Sequence, residues 1–374
     1  MDRIIKLRQE LHQNPELSGD EKETSTRIAK FLSKYQPNEI HLGIAGNGIA
    51  AVYKGKEDGP TLLFRCDMDA LPIQEISDKP YKSLTNGVAH LCGHDGHMAM
   101  VSGLAVKLHE KPIKKGRVVL FYQPEEENGK GAAKSISELL RLNLKPNFAF
   151  AIHNIPKHPL GSVILGRYTF SAASKGVTIK LKGRNAHAAY PESGISPALA
   201  IAEIIQSFSK VKELVSFKGF ILLTIVHSRL GEPAFGTSPG EGVVLSTLRA
   251  FDNGDMEKLT QFVESTSKEI ANRFNLNIEI SYAEEFPATE CNKEFTGIVE
   301  NCAKDLRLQV VKLDQPNRWS EDFAHFTSQF PSVIFGIGAG SEHPDLHTNS
   351  YDFPDEIIPT GVRLMESICK KILD

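Results

Sequence analysis

Four short apolar runs punctuate the chain, and each leads into a group that can bind a metal or carry a proton. TLLFRC is followed by Asp67 and Asp69, VVLFYQP by Glu125, Glu126 and Glu127, and FAFAI by His153, while SVIFGIGAG precedes His347 by a short loop. Apolar runs of this length without polar alternation predict strands buried on both faces. Residues 1–35 read as helical, with Ser18 or Asp20 breaking them into a first helix and a second, TSTRIAKFLSKY. Further strands are predicted near 48–54 and 61–66, then a loop over 67–90. A helix over 95–110 follows, with His94 and His97 in its first turn, and strands near 117–122 and 147–152 flank a helix near 131–142. This alternation of strand and helix is the α/β signature.

From about Ser174 the pattern changes. VTIKLKG alternates like a strand and SPALAIAEIIQSFSKV is helical. FILLTIVHSRL and GVVLSTLRAF read as neighbouring strands, MEKLTQFVESTSKEIANRF as a helix and LNIEISYAEEF as a strand. The order β-α-β-β-α-β is that of a ferredoxin-like unit. The chain then returns to helix (NKEFTGIVENCAKDL), strand (SVIFGIG) and a terminal helix (IIPTGVRLMESICKKIL). The expected fold is α/β: a catalytic domain with a mixed sheet flanked by helices, built from residues 1–173 and 287–374. An inserted ferredoxin-like α+β domain over 174–286 interrupts it.

Composition narrows the function classes. At 374 residues the chain is long enough for about two domains. Lys and Arg total 43 against 46 Asp and Glu, a net charge of −3 with no long basic run, so no nucleic-acid partner is expected. No apolar stretch approaches the ~18 residues of a membrane span, and MDRIIKLRQELHQNPE lacks the apolar centre of a signal peptide. A soluble, cytoplasmic protein is expected. The five cysteines are odd in number and scattered, which argues against a disulfide framework. Only Cys92, between His90 and His94 in a Gly-containing turn, has ligand-like company.

Ligand sites in open α/β sheets gather beyond the carboxyl ends of strands, which is where these acids and histidines fall. A structural zinc site would use a closed set of Cys and His. One Cys with several His and carboxylates, drawn from distant segments, suits a catalytic site with open positions. Each residue alone has an ordinary alternative: a strand-end histidine for His153, a solvated acidic loop for Glu125 to Glu127, and His343 in competition with His347. No G-x-G-x-x-G follows the first strands, so a nicotinamide enzyme is not expected.

The strings FRCDMDALPI, HLCGHDGHMAM, YQPEEENGKGA, WSEDF and LHTNSYDFPDE resemble the amidohydrolase branch of the aminoacylase/carboxypeptidase-type metallopeptidases. That branch includes hippurate hydrolases, N-acetyldiaminopimelate deacetylases and plant auxin-conjugate hydrolases. The resemblance covers nearly the whole chain from LRQELHQNPELS onward. It implies two divalent metal ions per subunit, with Cys92, His94, Glu127, His153 and His347 as ligands. Cys92 favours softer ions such as Zn, and the carboxylates admit Mn or Co. It further implies metal-bound hydroxide as nucleophile and Glu126 as general base, with Glu125 standing where the branch has a small residue.

Asp67 matches an active-site acid that orients a ligand or the base, and His97 and Asp95 match supporting positions. The inserted domain corresponds to a lid that also forms a homodimer. His187, in NAHAAYP, corresponds to a lid histidine assisting at the reacting carbonyl, in the site of its own subunit or of the partner subunit. Arg249, ending GVVLSTLR, is a candidate for the substrate carboxylate or an ordinary strand-end arginine. The implied substrate is an N-acyl amino acid, acetyl or aromatic acyl; a dipeptidase or carboxypeptidase with the same chemistry is the alternative. The resemblance breaks at Gly231-Glu232 and Gly236-Thr237-Ser238-Pro239, where the branch has Gly-Gly and Asn-Val-Ile-Pro.

Overall fold

The apolar runs become strands of one eight-stranded mixed sheet in a computed structural model that describes residues 1–374. Across it lie Glu39–Ile44, Gly48–Lys54, Lys115–Gln123, Glu57–Asp67, Phe148–Pro156, Ser332–Gly340, Val163–Leu165 and Val310–Lys312. The third to sixth of these are mutually parallel, and the first two pair antiparallel. Parallel strands are covered on both faces, so Leu62, Leu63 and Phe64, like Val118 through Tyr122, are buried without alternation. Register sets Asp67 opposite Gln123 and His153 opposite Gly336. The carboxyl ends of the central strands therefore share one edge.

The helix His94–Glu110 is buried almost all round, because Asp2–Gln13 and Ile358–Leu373 pack against it. The first helix ends at Gln13, earlier than Ser18, since Asn14 precedes Pro15 and a residue before proline is driven out of the helical region. His153 lies inside its strand rather than after it, because pairing with Ser332–Gly340 continues to Pro156. The strands Glu39–Ile44, Val163–Leu165 and Val310–Lys312 were not expected. They are short or half-exposed strands toward the sheet margins, with no continuous apolar run to announce them.

The chain divides into two compact units. One comprises Met1–Phe170, Thr289–Gln315 and Glu321–Asp374, and the other Ser171–Ala288 with Pro316–Ser320. The second unit has an entirely antiparallel sheet in the order Asn277–Phe286, Ala173–Lys182, Glu241–Ala250 and Ile221–Leu230. With helices Ala198–Ser209 and Asn253–Arg273, this is a ferredoxin-like unit. Val177, Ile179, Leu181, Val244 and Leu248 of its sheet form a core with Ile204, Phe208, Leu259 and Val263 of the helices. The longer helix starts at Asp252, whose carboxylate accepts the N–H of Asp255.

Candidate metal centre

Two tight turns present the chemistry at the sheet edge. Gly93 has φ +94°, and a Cβ there would lie 2.2 Å from Asn154 Oδ1, so only glycine lets Cys92 and His94 approach Asn154. After Glu127 the chain folds back so closely that a Cβ on Gly131 would fall 1.8 Å from the carbonyl oxygen of Pro124. Between them Glu125 adopts φ +56°, and His347 adopts φ +62°. Left-handed backbone at a bulky residue is strained, and seven other non-glycine residues of the chain share it.

The histidines are oriented by main-chain carbonyls. His94 Nδ1 bonds the carbonyl oxygen of Asp69 at 2.8 Å, and His153 Nδ1 bonds that of Asn154 at 2.8 Å. Holding Nδ1–H in this way turns the Nε2 lone pair toward a metal. His94 Nε2 stands 3.7 Å from both Glu127 Oε1 and Asp67 Oδ2. His347 Nε2 is 3.5 Å from Glu127 Oε1, and Cys92 Sγ is 3.7 Å from His153 Nε2. Ligand atoms of Cys92, His94 and Glu127 form one group within 4.8 Å, and those of Asp67, His94, His97 and His153 form another.

These donors fit a cation. The buried atoms His94 Nε2 and Glu127 Oε1 have no hydrogen-bond partner in the protein, although buried polar atoms are ordinarily paired. Metal–ligand bonds of about 2.0–2.3 Å at tetrahedral angles put neighbouring ligand atoms roughly 3.3–3.8 Å apart. The separations above are of that size. A set of thiolate, imidazole and carboxylate suits a transition metal rather than Mg or Ca. Burial, joined by Asp69 and Asp67 and opposed by His94, pushes the Glu127 carboxyl up to about 7. A cation among these groups reverses that cost.

His97 has both ring nitrogens engaged, Nδ1 with Asp67 Oδ1 at 2.6 Å and Nε2 with Asn154 Oδ1 at 2.6 Å. It braces the centre from behind. Burial alone would raise the Asp67 carboxyl, but His94, His97 and Arg65 outweigh it and hold the group well below the usual carboxylate range. Asp95 faces the N-terminal helix, accepting from His12 Nδ1 and forming an ion pair with Arg8 Nε, each at 2.8 Å. Glu126 is buried and accepts the peptide N–H of Asp322 at 3.3 Å. Burial together with Glu321, Glu127 and Asp322 pushes its carboxyl well above the usual range. Glu125 is turned away, with its carboxylate on Lys134 Nζ at 2.6 Å.

His187 and Arg249 belong to the second unit. His187 is exposed in a two-residue strand opposite Thr237, so the departing segment Gly236–Pro239 is its neighbour. Arg249 Nη1 donates to the carbonyl of Arg318 at 2.8 Å and to Ser320 Oγ at 3.1 Å. The sequence singles out Asp69 beside Asp67 without giving it a specific task and Ser18 only as a helix break; Arg65, Glu321 and Asp322 are not singled out. Asp69 accepts from Ser18 Oγ at 2.7 Å and from the N–H of Glu127 at 2.9 Å, so it ties the His94 and Glu127 segments together. All but Ser18 stood in the recognised strings FRCDMDALPI and WSEDF, which were the available signal.

The family model for peptidase family M20/M25/M40 matches residues 63–371. The chain is 30% identical over 374 residues to the N-acetyl-L-cysteine deacetylase of Bacillus subtilis, covering 99% of this chain and 88% of that protein. It is 28% identical over 373 residues to thermostable carboxypeptidase 2 of Saccharolobus solfataricus, with 96% and 93% covered. The crystal structure of the Bacillus subtilis YXEP protein, described as a dinuclear metal-binding peptidase, superposes with a TM-score of 0.86 at 26% identity, covering 100% of this chain and 98% of that one. A match of this extent, over a buried donor set suited to transition metals, makes the chain a member of peptidase family M20/M25/M40 and a metal-dependent hydrolase.

Proposed function

We propose that the protein hydrolyses the amide bond of N-acyl amino acids at a centre for two divalent ions, Zn, Mn or Co. The observation that carries this reading is a buried carboxyl, Glu126, next in the chain to Glu127 of the metal-ligand group. Cys92, His94, Glu127, His153 and His347 would hold the ions, which supply Lewis-acid polarisation of the carbonyl and acidify water. Glu126 takes a proton from the attacking water and returns it to the leaving nitrogen as the C–N bond breaks, giving a carboxylate and a free amino acid. Burial favours the protonated form of such a base once it has taken the proton. Asp67 fixes His97 and the local field. His187 assists at the developing oxyanion, and Arg249 receives the substrate carboxylate.

The likeness to a carboxypeptidase favours a second reading, peptide hydrolysis by the same groups. Metal-replete protein incubated with N-acetyl and N-benzoyl amino acids and with dipeptides, read by mass spectrometry, separates the two. We expect the larger kcat/KM on the N-acyl compounds; a preference for dipeptides would overturn the substrate class.

We also infer a homodimer through the inserted domain. Its strand Ile221–Leu230 is paired on one side only and exposes Leu222, Val226 and Leu230. Open edge strands are ordinarily covered, and a two-fold dimer is the commonest closed solution. Sedimentation at twice the chain mass is expected, and a monomer at micromolar concentration would contradict it. We take the enzyme to be cytoplasmic, as its five free cysteines suit a reducing compartment; recovery in a secreted fraction would count against that.

A further inference from the structure

Glu126, Glu321 and Asp322 bring carboxylate oxygens within 4.8 Å of one another, and all three residues are buried. Such a cluster calls for a cation, and the protein supplies one of its own. Arg65, fully buried in the strand Glu57–Asp67, reaches Glu321 Oε1 at 3.0 Å and Asp67 Oδ2 at 2.9 Å through Nη1. Its Nη2 donates to Asp322 Oδ1 at 2.6 Å and its Nε to Gln123 Oε1 at 3.1 Å. Its hydrogen bonds are thus directed at Asp67, Asp322 and Gln123, with Glu321 as a further ion-pair partner, and Glu126 receives a peptide N–H instead. Glu321 and Asp322 take up the guanidinium, and the peptide N–H of Asp322 faces Glu126.

Asp322 is held on every side. Beyond Arg65, its carboxylate accepts from Gln123 Nε2 at 2.7 and 2.9 Å and from the N–H of Ala132 at 2.9 Å. It therefore joins the ends of two central strands to the start of the helix Gly131–Arg141. Its own N–H is the contact on Glu126 Oε1. Buried ion networks are weak evidence for stability, since apolar side chains of similar volume often serve as well. A network whose most central member touches the proton carrier has a different use.

We propose that Arg65, Glu321 and Asp322 are positioning residues for Glu126: Arg65 fixes the two acids, and Asp322 fixes the base carboxylate through its peptide N–H. The proposal rests on the reading of Glu126 as the general base. It is tested by a double-mutant cycle on kcat, with bound metal counted in every variant and the best substrate of the N-acyl panel. Glu321→Gln and Arg65→Lys are each expected to lower kcat about tenfold or more, with KM within about twofold and metal content unchanged. In a Glu126→Gln background the same changes should lower the residual kcat by less than about twofold, because residues acting through one group are not additive. Equal losses in both backgrounds, or wild-type kcat in metal-replete Glu321→Gln, would overturn the proposal. Should Arg65→Lys fail to fold, the isosteric Glu321→Gln carries the cycle alone. An additive cycle with a disabling Glu126→Gln defeats only the positioning role. An undiminished kcat in Glu126→Gln defeats the base assignment itself.

Discussion

Glu126→Gln retains the fold and the bound metal and lowers kcat by roughly 10²–10⁴-fold, the usual contribution of a positioned acid–base group. The substitution keeps the shape of a buried side chain and its contact with the N–H of Asp322, so packing changes little. It removes only the ability to hold a proton. KM is expected to stay near its wild-type value, because the lost interaction belongs to the transition state. Glu125→Gln is the matched control. Its carboxylate pairs with Lys134 and takes a hydrogen bond from Asn128 at 3.3 Å, away from the metal-ligand group, so turnover should remain near wild type. Steady-state kinetics with metal analysis on both variants decide the point, and the reverse ranking would move the base to Glu125.

Cys92→Ala is expected to lose bound metal, and with it most activity. Outer partners of metal ligands typically contribute 10–100-fold in affinity, and a thiolate in direct contact should contribute at least as much. Cys92 is 7% exposed, close to His153 Nε2, and shares a potential ligand group with His94 and Glu127. Burial, the largest influence, and the neighbouring Glu127 push its thiol well above the ordinary value while His94 opposes them. A thiolate there needs a cation beside it. Thiol reagents should therefore modify chelator-treated protein and holo protein at different rates, with the metal protecting Cys92. Unchanged metal content in Cys92→Ala, together with equal labelling in the two states, would remove it from the ligand set.

The residues that read clearly in the sequence are those whose local pattern carries their environment. TLLFRC, VVLFYQP and FAFAI are continuous because parallel central strands are buried on both faces, and that continuity marked where the strands would deliver Asp67, Glu126 and Glu127, while His153 proved to lie within its strand. The alternation in VTIKLKG and LNIEISYAEEF reflects a sheet with one covered face, which made the ferredoxin-like unit legible as well. Long-range partners left no such trace. Ser18 meets Asp69, and Arg8 and His12 meet Asp95, across stretches of chain with no shared periodicity. Arg65 was the most readable of the missed residues. A charge inside a buried apolar run needs paired acids, yet nothing local says that they lie at Glu321 and Asp322.

Hydrolysis of N-acyl amino acids at a centre of two divalent ions is what we propose for this family member. Its most direct test is to strip the metal with a chelator, restore Zn, Mn or Co stepwise, and follow both bound metal and release of free amino acid from an N-acyl substrate. The apo protein is expected to be inactive, with activity returning on added metal and reaching its maximum with the second ion per chain. Undiminished release of the amino acid by metal-free protein, or full activity with a single ion bound, would contradict it.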